Sequence, residues 1–165
     1  MNSVVWADLH VDHEQACKAR GYTVKEFQEL ISDTWIKCVT PRTTAILVGD
    51  IALFHSGLLM LKKLPGKKIL VMGNHDTERE NDIRDLLEVF DDIKGLWHPR
   101  KRKLSFSHAP QHPQHLRGRK NVHGHIHTDI IPDERYVNVC WDHLQDGPVD
   151  LERIITGEYT TYSKK

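Results

Sequence analysis

Three short apolar runs in the first half of the chain each end on a small polar motif. Residues 4–7 run into Asp8, residues 44–48 into Gly49-Asp50, and residues 68–72 into Gly73-Asn74. Runs of this length, bounded by turn residues, read as buried strands. Between them the period changes. Val24, Phe27, Leu30, Ile31, Thr34 and Trp35 recur at three- and four-residue intervals, which predicts a helix over 23–39. Thr23 is its expected N-cap, with Glu26 three residues on, and Pro41 stops it. Further helices are expected over 53–64, ended by Pro65-Gly66, and over 83–90, where Ile83, Leu86, Leu87 and Phe90 share a face. From residue 93 onward the pattern is mostly short strands, at 93–97, 103–107, 121–127 and 136–140, with a brief helix over 150–155. Strand–helix alternation followed by strands predicts an α/β domain over 1–157, with a mixed sheet or two packed sheets flanked by helices. Residues 158–165 form a polar tail expected to fray.

A chain of 165 residues is long enough to bury a substantial core. Its 23 Lys and Arg balance 23 Asp and Glu, which argues against a protein built to neutralise long nucleic acid. Cys17, Cys38 and Cys140 are odd in number and widely spaced, so no disulfide framework is expected. With no signal-like apolar N-terminus and no membrane-length run, a cytoplasmic location is expected. The unusual feature is the twelve histidines, because imidazole is the commonest metal ligand among side chains. His98, His112, His115 and His143 read as surface residues.

Five of the other eight fall into an ordered series: Asp8-Leu9-His10, Gly49-Asp50, Gly73-Asn74-His75-Asp76, Ser107-His108 and Gly124-His125-Ile126-His127. On an extended strand, residues two apart face the same way, so Asp8 and His10 are expected on one side. The same spacing groups His123, His125 and His127. Asp50 offers a carboxylate able to bridge two ions, and Asn74 offers a neutral oxygen suited to a hard ion. Functional residues recur where a strand ends, which is where open α/β sheets place ligand sites.

This ordered set resembles the calcineurin-like metallophosphoesterase superfamily, and most closely its short, cap-less bacterial and phage-type members. The likeness covers residues 4–127. It implies a four-layer α-β-β-α sandwich and a metal-dependent phosphoester hydrolase. Asp8, His10, Asp50 and His127 would hold one divalent ion. Asp50, Asn74, His108 and His125 would hold the other, with Asp50 shared. His75 would be the catalytic acid and Asp76 would orient it. Two departures stand out: Leu53, where many members carry an acidic residue or arginine, and Asp12 before His13, where many carry glycine.

Two divalent ions offset by Asp8, Asp50 and a shared hydroxide would leave a site of roughly +1 charge, attractive to phosphate. Manganese is the first expectation for the metal, with Fe, Zn, Ni or Co compatible with the same N/O donors. The expected substrate is a small, nucleotide-like phosphomonoester or phosphodiester. His13, Arg79 and His123 are candidate substrate contacts, and the basic runs 100–103 and 117–120 read as solvated edges. A nuclease on short nucleic-acid ends and a non-catalytic interaction module are the alternatives. No membrane partner is expected.

Overall fold

The computed structural model describes residues 2–100 and 102–163. Lys101 of the basic run and the last two residues of the polar tail lie outside them. Among the described residues, eight strands and five α-helices follow one another in a mixed α/β arrangement. Strands β1 (Ser3–Trp6), β2 (Thr44–Leu47), β3 (Lys67–Val71) and β4 (Asp92–Lys94) run parallel, and β8 (Val149–Asp150) closes the sheet antiparallel to β1. The order is β4-β3-β2-β1-β8. A second sheet contains β5 (Leu104–Phe106), β6 (Lys120–His123) and β7 (Tyr136–Asn138), all parallel.

Alternation along the strands explains how the core divides. Val4 and Trp6 of β1, Ala45 and Leu47 of β2, and Leu70 of β3 lie in one apolar cluster. Helices α1 (Glu14–Ala19), α2 (Val24–Cys38), α3 (His55–Lys62) and α4 (Ile83–Leu87) contribute Cys17, Phe27, Ile31, Trp35, Leu58, Leu61 and Leu86 to it. The residues between them, Val5, Ala7, Ile46, Val48 and Val71, belong to a second cluster. That cluster also contains Phe106, Val122 and Val137 of the second sheet, and Leu151 and Ile154 of α5 (Leu151–Thr156). The two sheets therefore share one apolar interior. Ala7 extends the junction: its amide donates to Val139 O at 2.9 Å, and its carbonyl accepts from the Trp141 amide at 2.9 Å.

The expected capping box on α2 is present, with the Thr23 hydroxyl accepting from the Glu26 amide and Glu26 accepting from the Thr23 amide. Several expectations are corrected. Ile83 and Leu87 are exposed, so α4 turns only Leu86 inward, with Phe90 buried just beyond it. The segment expected over 93–97 splits: Asp92–Lys94 joins the first sheet, and Trp97 bridges to Phe106. The strand expected to reach residue 127 ends at His123. Helix α1 has one buried side chain, Cys17, and so carries no readable period. Among the described residues no helix is long and apolar enough to cross a membrane.

One buried carboxylate fixes the chain between β1 and α3. Asp12 accepts from the amides of Leu53 at 2.8 Å, Phe54 at 2.9 Å and Gly57 at 3.1 Å. Burial lifts its pKa, and the three amides work against that rise. Asp12→Ala leaves these donors without their acceptor and is expected to cost about 2–3 kcal/mol in urea unfolding. Asp12→Asn is isosteric but sets an NH2 group against the same N–H donors. It should cost a comparable amount, and an unchanged midpoint for Asn would refute the account.

Candidate metal centre

Every motif of the ordered series follows a parallel strand: Asp8 and His10 after β1, Asp50 after β2, Asn74 to Asp76 after β3, His108 after β5, and His125 and His127 after β6. The chain then turns sharply. Asp8, His10, Asp50, His125 and His127 all have positive φ, between 48° and 73°, and Arg117 is the one other non-glycine residue in that region among those described. The expectation that Asp8 with His10, and His125 with His127, share a side of an extended strand is therefore wrong in its geometry. They meet because the backbone is left-handed, not because it is extended.

Two groups result. Asp8, His10 and His127 each offer one donor atom within 4.8 Å of the others, and Asp50, His108 and His125 do the same. Asp8 and His10 are buried, and the rings of His10 and His127 stack with centroids 5.4 Å apart. Asp8 Oδ1 and both His10 ring nitrogens are buried without a hydrogen-bond partner. Unpaired buried polar atoms are costly, and a carboxylate with two imidazoles is the donor set that a divalent cation satisfies. In this group the residues fit an ion.

Each donor is aimed by neighbours. Asp8 Oδ2 accepts from the His125 amide at 2.9 Å and the Cys140 thiol at 3.0 Å, leaving Oδ1 free. Burial works against a charged Asp8, yet contacts with His10, His108, Cys140 and His125 hold its pKa below the ordinary aspartate value. His127 Nδ1 lies 3.0 Å from Asp142 Oδ2, so Nε2 is the atom turned toward Asp8, at 3.8 Å. Such a carboxylate–histidine pair fixes ring orientation at metal sites. His108 Nδ1 sits 2.9 Å from the Val48 carbonyl, which leaves Nε2 at 3.1 Å from Asp50 Oδ2 and 3.2 Å from His125 Nδ1. Burial lowers the His108 pKa, but the bond and charge of Asp50 override it and push it up to about 9.

The structure places the other expected residues as follows. His75 is partly exposed, with its amide on Asp50 Oδ1 at 2.9 Å and Nε2 at 3.9 Å from Asp50 Oδ2. Asp76 does not orient it. Its buried carboxylate accepts from the amides of Gly73 at 2.7 Å, Ile51 at 2.9 Å and Asp50 at 3.2 Å, tying the loop after β2 to the loop after β3. Glu78 instead bonds His75 Nδ1. Asn74 is exposed, on the turn between Gly73 and His75. His13 caps α1, accepting the Ala16 amide on Nδ1 at 3.0 Å. Arg79 is exposed, and both residues line a cleft beside the centre. His123 is 1% exposed and bonded to Gly124 O, and burial pushes its pKa down to about 4. It is a packed neutral ring, out of a substrate's reach.

Sequence reasoning missed the supports. Arg20 donates to the carbonyls of Asp8 and Leu9, both at 2.8 Å, and to Asp142 at 3.0 Å, while its guanidinium lies over Trp141. Asn138 donates to His127 O at 2.9 Å. None of these belongs to a motif, and no spacing rule marks them. The motif glycines have a plain reason. A Cβ on Gly73 would collide with Asp50 Oδ1, and one on Gly124 with Asp8 Oδ2.

Asp142→Ala should weaken the affinity of the Asp8–His10–His127 group about 10- to 100-fold in chelator competition, because His127 loses its orienting partner. It also strips Arg20 of a buried counter-charge, at about 3 kcal/mol in chemical unfolding. Unchanged metal affinity would refute the supporting role of Asp142.

No family model matches the sequence, and no curated protein matches it. Among solved structures, the chain is similar to a protein of unknown function from Aquifex aeolicus, at 24% identity and a TM-score of 0.74, over 95% of this chain and 98% of that one. A second similarity is to the nuclease MPE of Pseudomonas putida, at 19% identity and a TM-score of 0.49, over 76% of this chain and 60% of that one. The Aquifex likeness shows a shared fold over nearly the whole length of both chains.

Proposed function

We propose that the chain is a metal-dependent phosphoester hydrolase of the calcineurin-like type, with the four-layer sandwich of that superfamily. Its proposed substrate is a small, nucleotide-like phosphodiester or phosphomonoester. One observation carries the reading: two carboxylate–imidazole groups stand side by side, one holding buried polar atoms without partners, next to a partly exposed histidine.

Asp8, His10 and His127 would hold one divalent ion. Asp50, His108 and His125, with Asn74, would hold the other, Asp50 being the carboxylate for both to share. Bound there, the ions supply an activated water and offset charge on the phosphoryl oxygens. Asp8 and Asp50 reduce the net positive charge, so that a phosphate is attracted without being trapped. The ring of His75 lies 5.8 Å from that of His10. Glu78 on Nδ1 leaves Nε2 as the atom turned toward the centre. As the phosphorus–oxygen bond of the ester breaks, Nε2–H gives its proton to the departing oxygen and an alcohol leaves. Water provides the new oxygen on phosphorus.

His75→Asn should keep two Mn ions per chain by elemental analysis. It should lose about 10²- to 10⁴-fold in kcat on alkyl phosphodiesters and far less on p-nitrophenyl esters, whose leaving group needs no proton. Equal losses on both ester classes would overturn the proton-donor role. No hydrolysis of any ester after Mn loading would overturn the assignment as an enzyme.

A further inference from the structure

A cleft of about 850 Å³ opens beside the metal centre, and no residue of either metal group lines it. His13 stands at the junction, since it lines the cleft and its ring centroid lies 5.8 Å from that of His10. Because His13 Nδ1 accepts the Ala16 amide, its proton sits on Nε2, which is left to donate to a ligand. Beyond His13 the lining is of two kinds. Tyr22 and Phe54 are partly exposed, and Tyr22 already packs edgewise against Trp141, whereas no aromatic ring faces Phe54 among the described residues. Lys18 and Arg79 are exposed, and neither makes an ion pair or a side-chain hydrogen bond among the described residues. The acids there are less available: Asp12 is saturated by three amides, and Glu14 alone remains exposed. In a chain with no net charge, this is a local excess of free cations around a free aromatic face.

The geometry points to this cleft as the subsite for the organic arm of the substrate, a nucleotide whose base lies on Phe54 and whose further phosphate is taken by Arg79 and Lys18. The inference rests on the phosphoesterase reading for its orientation, with the scissile phosphate at the metal groups and the arm running past His13. Its chemistry is independent of that reading. A flat base stacks on an unpartnered ring without needing a sequence-specific contact. A guanidinium matches phosphate oxygens in pairs, and a lysine adds a point charge. Surface cations with no internal partner also keep their full attraction for an anion.

Calorimetric titration of the full chain in EDTA keeps catalysis and metal chelation out of the test. ADP should bind at least 10-fold more tightly than pyrophosphate, which carries the charge without the base. Arg79→Ala should weaken ADP at least 10-fold. Phe54→Leu, which keeps the apolar bulk that packs at the start of α3, should remove the preference for ADP over pyrophosphate. Equal affinity of the native chain for ADP and pyrophosphate, or native affinity in both variants, overturns the proposal. A 5′-phosphorylated tetranucleotide binding more tightly than ADP assigns the arm to a nucleic-acid end, and equal or weaker binding assigns it to a free nucleotide. Hydrolysis of bis(p-nitrophenyl) phosphate by the Mn-loaded native chain is measured separately. The phosphoesterase reading and the cleft assignment therefore fail on different experiments.

Discussion

Five left-handed backbone positions hold the centre together, and most of the surrounding structure serves to keep them that way. A non-glycine residue at positive φ costs roughly 1–3 kcal/mol. Asp8, His10, Asp50, His125 and His127 together therefore store strain comparable with the net stability of a domain, about 5–15 kcal/mol. The fold offsets it with hydrogen bonds at the turns themselves. The Asp8 amide donates to Gly49 O and the His10 amide to Asp50 O, so the loops after β1 and β2 continue the pairing of their strands. Arg20 holds the carbonyls of Asp8 and Leu9, Asn138 holds that of His127, and Asp76 holds the Asp50 amide. A parallel sheet supplies strand ends side by side. Left-handed turns after β1, β2 and β6 bring successive side chains back onto a common point, which His108 reaches after β5 without one.

That constraint also explains which parts of the site were legible in the sequence. The donors announced themselves by type and order, since Asp, His and Asn after apolar runs have few structural reasons to recur five times. The two groupings, Asp8 with His10 and His127, and Asp50 with His108 and His125, agree with the division implied by family resemblance for these six residues, whereas Asp50 joins only the second group and Asn74 neither. Their local geometry was not legible. A two-residue spacing looks the same in a strand and in a left-handed turn, and the extended reading also drew in His123, which the strand buries. The supports were invisible for another reason. Arg20 and Asp142 lie 122 positions apart, and their meeting depends on how helix α1 and the segment after β7 are brought together.

The fold divides in the same way. Helix α2 was legible because fifteen residues carry a full period and a capping box. Helix α1, with six residues and one buried side chain, and strand β8, with two residues, hold too little pattern to read. Helix α1 nonetheless lies beside the candidate site. Helix α1 contributes Lys18 to the cleft, and Arg20, just past its end, reaches the metal loops. An element that makes few core contacts is free to spend its side chains on the site.

The exchange of roles around His75 shows why a motif locates a residue more reliably than its partner. Asp76 is adjacent to His75 in sequence, but neighbours on a turn point apart, and Asp76 faces inward to accept three amides. Glu78 lies three residues on, and the intervening turn brings it back to His75 Nδ1. Leu53 shows the same inward packing, being 2% exposed with its amide on Asp12 Oδ1. A carboxylate there would be buried beside Asp12, and like charges at close range in a desolvated region raise each other's cost.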